Sequence, residues 1–264
     1  MKDKIEKYFS GKKLYGDDFD KQQIIEWFKD EEEGYSGLIT KDHVYEFHAL
    51  NGVHGYSKLK NIKKFKRVLG FGSAMGEELL PIIDKIDEIS IVEPSEKLKK
   101  STIGGKKVTY QKPSISGKLK FPDNHFDLIT CFGVLHHIAN VSFIMKEFSR
   151  VLKKGGILLI REPIVSMGDW RKKRKGLTKR ERGIPLNLFR KIIINNELEV
   201  ISERKVFFPL IRRVRFGKWE GGNSKFFIWM DFLLSLLFSW NDRYHSTNVL
   251  HKIRPQAIYY VLKK

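Results

Sequence analysis

The chain has 264 residues, 41% hydrophobic and 31% charged, which excludes global disorder and gives enough length to bury a full core in one large or two small domains. Its single cysteine, Cys131, excludes a disulfide framework and a thiolate metal site and suits a reducing cytosol. The formal charge of +19 is uneven, with a net of +5 over residues 1–160 and +14 over 161–264; a surface for RNA, anionic lipid or phosphorylated substrates belongs to the last hundred residues, and plain solvated surface is the alternative.

The opening MKDKIEKYFSGKK has no apolar run, so no signal peptide is expected. Residues 1–60 read as an N-terminal helical cap. Ile24, Ile25, Trp27 and Phe28 cluster there, and the acidic run Asp30 to Glu33 with Gly34 is expected to break the helix. From Lys66 short apolar runs alternate with helical segments. Strands are expected at Arg67 to Phe71, Ile89 to Val92, Lys107 to Tyr110, Phe126 to Phe132 and Gly156 to Ile160. Val141, Ile144, Met145, Phe148, Val151 and Leu152 form one helical face, with Asn140 as its cap and Lys153-Lys154-Gly155 at its end. Pro185 to Leu198 is a further helix, Glu199 to Phe208 and Ala257 to Leu262 are further strands, and residues 209–256 form an insert. Strands alternating with helices imply a mostly parallel sheet covered on both faces, an α/β, Rossmann-like fold of seven strands.

Arg67 to Phe71 runs into a glycine loop, where backbone can approach a ligand closely and a following helix offers free N–H groups. A dinucleotide loop has the pattern G-x-G-x-x-G. Gly70 and Gly72 fit, but Met75 holds the third place and Gly76 comes one residue late. Glu93 follows 17 residues after Gly76, where a carboxylate can take both ribose hydroxyls. Pro81 disfavours helix at Leu80, so the helix after the loop starts late or kinks.

Val68 to Gly76 resembles motif I of class I S-adenosylmethionine-dependent methyltransferases, with Glu93 as the ribose-binding acid. Phe121-Pro122-Asp123-Asn124-His125-Phe126-Asp127-Leu128-Ile129, Val134-Leu135-His136-His137-Ile138 and Arg150 to Gly156 are similar to the type 11 methyltransferase domain. The resemblance spans about residues 66–163, the cofactor-binding core of a methyltransferase domain at 61–264. It implies S-adenosylmethionine as cofactor, held by Gly70, Phe71, Gly72, Ser73, Ala74, Gly76, Glu93, Pro94, Ser114, Cys131, Phe132 and Gly133. The family often has an acid where Gly70 stands and a glycine where Ala74 stands. Its acidic adenine contact is replaced by Lys112 to Ser116, which leaves adenine to backbone or Ser114.

Methyl transfer to a hydroxyl needs alignment and a base. The candidates are His136, His137 and Glu162, at the carboxyl edge where α/β folds place ligands; Asp169 is a further one. For each, a structural role is the alternative: a packed ring, an anchor, a turn cap. Phe71 and Phe132 are candidates to face the sulfonium, or plain core aromatics. No residues are assigned to a metal.

Trp170 to Arg182 carries eight cations and one acid and is expected either to overhang the substrate mouth or to be a mobile solvated loop. Phe226 to Trp240 is apolar except for Asp231, Ser235 and Ser239. It reads as a buried helix over the pocket, with an interfacial helix as the alternative. The expected reaction is O-methylation of a sugar or lipid-linked glycan intermediate, in the cytoplasm or at the inner membrane face. The alternatives are an RNA methyltransferase using the basic C-terminal region, and a non-catalytic cofactor-binding protein.

Overall fold

The computed structural model describes residues 2–36, 45–212, 215–216, 219–220 and 224–264. The strands are β1 (Phe65–Phe71), β2 (Ile86–Val92), β3 (Thr102–Ile103), β4 (Lys106–Gln111), β5 (Phe126–Phe132), β6 (Leu152–Pro163), β7 (Glu199–Val206), β8 (Arg215–Phe216), β9 (Trp219–Glu220) and β10 (Ala257–Lys263). Eight form one sheet in the order β3-β4-β2-β1-β5-β6-β10-β7, while β8 and β9 pair as a separate hairpin. β1 runs parallel to β2 and β5, β2 to β4, and β5 to β6; β10 is antiparallel to both β6 and β7. All seven expected strands are present, and the eighth is the two-residue β3, antiparallel to β4.

Alternate residues of each strand face opposite ways, and the sequence is apolar at both. Leu69, Ile129 and Leu158 pack with Phe148 and Phe189 on one face; Val68, Leu128 and Leu159 pack with Leu79 and Ile82 on the other. The helices are α1 (Lys2–Phe9), α2 (Lys21–Ser36), α3 (His48–His54), α4 (Val141–Val151), α5 (Leu186–Asn195), α6 (Pro209–Arg212) and α7 (Lys225–Leu237).

Four local expectations change. Helix α2 passes through the acidic run and Gly34 to Ser36, because Asp30 pairs with Lys179 and Arg180 and Glu31 has buried partners of its own. The segment after the glycine loop is a 3₁₀ run, Glu77–Lys85, with Pro81 inside it. Proline removes an N–H and crowds the carbonyl four residues back, so an α-helix does not form. Asn140 does not cap α4; its side chain donates to the Ser116 carbonyl at 3.0 Å. Asp17 does that work from a distant turn, accepting from the Ser142 amide at 2.8 Å and hydroxyl at 2.6 Å. Finally, β6 begins at Leu152, directly after α4.

Helix α7 inverts the expected packing. Its polar residues Asp231 and Ser235 are buried with Ile228, and its large apolar side chains are exposed. Among the described residues, no helix is long and apolar enough to cross a membrane.

Candidate active site

The carboxyl ends of β1, β2 and β5 open into a cavity of about 140 Å³. Phe71, Gly72, Val92, Glu93 and Pro94 form one side, Pro113 to Ile115, Gly117 and Leu119 a second, and Gly133, Val134 and His137 to Asn140 a third. Helix α2 covers it with Ile24, Trp27, Phe28 and Glu31.

The glycine loop doubles back over β2. The Gly72 amide donates to the Val92 carbonyl at 2.8 Å. Gly72 has φ +65°, and a Cβ there would meet Val134 Cγ atoms at 2.5 Å, so only glycine fits. Ala74 is also left-handed, at φ +47°, a conformation that costs an L-residue roughly 1–2 kcal/mol. Its amide donates to Glu93 Oε2 at 3.0 Å and its carbonyl accepts from the Tyr110 hydroxyl at 3.2 Å, which holds it there. Glu93 Oε1 accepts from the Ser95 amide at 3.1 Å. Burial pushes the Glu93 pKa up, against these two amides, which lower it. Each carboxylate oxygen spends one lone pair on the loop and keeps one for a hydroxyl donor. A buried carboxylate at the end of the second strand, a glycine-shaped loop above it and an apolar slot beside it fit S-adenosylmethionine: Glu93 would take the ribose hydroxyls, and the wall around Ser114 and Ile115 the adenine.

Six of the expected cofactor residues line the cavity: Phe71, Gly72, Glu93, Pro94, Ser114 and Gly133. Six do not. Gly70, Ser73, Ala74 and Gly76 shape the loop from behind. Cys131 is fully buried beneath the cavity's end of β5, its thiol pKa pushed up by burial and by Glu162. Phe132 turns to the opposite face of the sheet, against Tyr259 at 5.6 Å and the Arg161 guanidinium at 5.5 Å. Of the two expected aromatics, Phe71, edge-on to Phe148 at 4.9 Å, lines the cavity, with Trp27 and Phe28 of α2 beside it.

The expected bases separate into anchors and one candidate. Glu162 is fully buried and accepts from the amides of Val134 and Leu135 at 2.7 and 2.8 Å and from the His136 ring at 2.7 Å. It fixes the turn after β5. His136 lies between Glu162 and Glu181, whose Oε1 is 3.4 Å from its Nε2. Burial alone would lower its pKa, but the two carboxylates raise it to about 9, so the ring is an imidazolium at neutral pH and not a base. Asp169 pairs with Arg171 at 2.7 Å and accepts from its amide, as a turn cap. His137 is different: it lines the cavity, and its Nδ1 lies 2.7 Å from Glu31 Oε2. Trp27 donates to the His137 carbonyl at 2.7 Å and ties α2 over it. Ligand atoms of His136, His137 and Glu181 lie within 4.8 Å of one another, a spacing that could hold a metal ion.

Part of the basic tract points inward. Arg182 is fully buried and donates to the carbonyls of Tyr15, Leu135, His136, Ile138 and Ala139. Arg174 donates to those of Met167, Thr178, Lys179 and Glu181. Lys179 and Arg180 pair with Asp30. Through these residues the tract is a strap that fastens α2 to the turn after β5, while Arg171, Lys172, Lys173 and Lys175 are exposed. Sequence reasoning missed Trp27, Glu31 and Glu181 as site residues. Their partners lie more than forty positions away, and no local pattern marks such pairs.

Residues 69–160 match the family model described as Methyltransferase domain. The uncharacterized methyltransferase YcgJ of Bacillus subtilis is 30% identical over 100 residues, covering 36% of this chain and 39% of that protein. The ubiquinone/menaquinone biosynthesis C-methyltransferase UbiE of a Shewanella strain is 33% identical over 92 residues, covering 35% and 36%. The matches thus span about two-fifths of these relatives' length. A solved S-adenosylmethionine-dependent methyltransferase from Mesorhizobium loti shares the fold, with a TM-score of 0.54 at 15% identity over 79% of this chain and 95% of that one. With the loop and Glu93 in place, the chain contains a class I S-adenosylmethionine-dependent methyltransferase domain, and S-adenosylmethionine is the cofactor indicated.

Proposed function

We propose that the chain transfers the methyl group of S-adenosylmethionine to a hydroxyl oxygen of a sugar or glycan intermediate, with His137 as the base. The observation that carries the choice of hydroxyl is the His137–Glu31 pair at 2.7 Å on the cavity wall. When bound, the cofactor supplies an electrophilic methyl group. Glu31 accepts the Nδ1 hydrogen of His137, which selects the tautomer whose Nε2 takes a proton. Thr178 and Arg180 donate to Glu31 at 2.6 and 2.9 Å and hold it in place. The His136–Glu162 anchor fixes the turn that presents His137, and Ile24, Trp27 and Phe28 of α2 exclude water from the cavity.

A second reading, an aromatic ring as acceptor, is favoured by the apolar cavity wall and by the name of one relative, a quinone C-methyltransferase. An RNA acceptor, which rests on the net charge of +14 over residues 161–264, gains nothing from Arg174, Arg180 and Arg182, which bind within the protein.

The test is transfer of label from methyl-tritiated S-adenosylmethionine into extracts of cells lacking the gene. Label is expected in nuclease-resistant, glycan-bearing material, and His137→Gln should lower the rate by roughly 10²–10⁴-fold while cofactor binding persists. Label in quinone-type lipids selects the second reading. Nuclease-sensitive label, or binding without any transfer, refutes both.

A further inference from the structure

Helix α7 is built inside out for a water-soluble surface. Its buried stripe is Ile228, Asp231 and Ser235. Asp231 accepts from the amides of Phe207 and Phe208 at 2.8 and 2.6 Å and so closes the end of β7. The small Ser235 lets the helix lie close to its neighbours. The opposite face exposes Phe226 (66%), Trp229 (53%), Leu233 (55%), Leu236 (59%) and Leu237 (66%), and Trp240 beyond its end is 76% exposed. Asn241 extends the patch by donating to the carbonyls of Leu250 and Ile253, two more exposed apolar residues. An apolar surface of this continuity marks an interaction site.

We propose that α7 lies flat on an anionic lipid surface and docks this protein to the membrane. Four observations choose lipid over other occupants. The thirteen residues of α7 span about 20 Å, short of the roughly 30 Å hydrocarbon core, so the helix lies in the interface. Its one acid, Asp231, is on the protein side. Among the residues whose burial is described, Lys225, Arg243 and Lys252 are exposed around the patch, against one exposed acid, Asp242. Trp229 and Trp240 are the side chains that settle at a membrane–water boundary. A second copy of the chain is disfavoured on charge: it would bring the same cations, and a C-terminal part of net +14, against themselves, whereas anionic headgroups neutralise them.

Phe207, held by Asp231, packs 5.7 Å from the guanidinium of Arg161, on the sheet face opposite the cavity. The docking does not depend on the acceptor proposed above; where both hold, the acceptor is carried on a lipid.

The experiment is co-sedimentation of the full chain with vesicles of phosphatidylcholine, with or without one-third phosphatidylglycerol, at low and high sodium chloride. Wild type is expected to sediment with the anionic vesicles, less at high salt, with a blue shift of tryptophan emission. Leu236→Glu with Leu237→Glu should weaken binding roughly tenfold or more without lowering the melting temperature, since both side chains are exposed. Trp229→Ser with Trp240→Ser gives the same reading if the first pair misfolds. Wild type left in the supernatant, or equal sedimentation with neutral vesicles, overturns the proposal. So does a dimer in light scattering that the Leu236/Leu237 variant dissociates. S-adenosylmethionine binding, measured alongside, should be unchanged in these variants, so failure here is separable from failure of the methyl-transfer reading.

Discussion

Three carboxylates around one histidine pair take different roles because their surroundings differ. Glu162 is saturated by amide donors, Glu181 is an ion partner, and Glu31 orients the ring at the cavity. The His136–Glu181 pair makes stability depend on pH in both directions. His136 is raised from 6.5 to about 9, so its contribution is complete below about pH 6.5 and fades as pH climbs through 9. Glu181 moves the other way: burial opposes, but His136 and His137 lower it from 4.5 to about 2, so its contribution is complete above about pH 4.5 and fades as pH falls towards 2. Denaturation midpoints should therefore decline from pH 7 to 9 in the wild type, and His136→Gln should flatten that decline. Arg182 offers a sharper test of the strap. Replacing it by Met strands five carbonyls inside the protein, at a cost of at least about 3 kcal/mol in urea unfolding; a loss below 1 kcal/mol would mean that water replaces the guanidinium.

At the scale of elements, helix α4 was legible as a face of apolar residues, but its cap was not. Asn140 has the right residue type and position, yet the donors at that helix start are met by Asp17, 125 residues away. Asp17→Ala should cost about 1 kcal/mol in denaturation midpoint, and Asn140→Ala much less. Helix α2 was misread at Asp30 to Glu33 for the same reason: a run of acids looks like a breaker until Arg180, Lys179 and Thr178 are placed beside it. Helix α7 had two readings, buried over the pocket or interfacial, and its exposed apolar face departs from the first. Periodicity locates a polar stripe without saying which way it faces, and two backbone amides at Phe207 and Phe208 turned it inward.

For the whole molecule, the sheet was the most legible feature. Five of its seven main strands hold clear apolar runs, β4 (KKVTYQ) and β7 (EVISERKV) are mostly polar, and Thr102–Ile103 is too short to show a period. The loop and Glu93 were equally plain, since their spacing is local chemistry. The charge imbalance was the least informative number. A few of its cations hold α2 over the cavity, and three others border the exposed face of α7. Everything functional depends on the slot at the carboxyl edge being a cofactor site anchored by Glu93. The most direct measurement is calorimetric titration of S-adenosylmethionine into wild type and Glu93→Ala. Saturable one-site binding to the wild type, weakened tenfold or more in the variant, is the expected result, since two hydrogen bonds to a buried charge contribute roughly 1.5–3 kcal/mol each. Equal affinity of the two proteins would contradict it and remove the ribose contact on which the site is built.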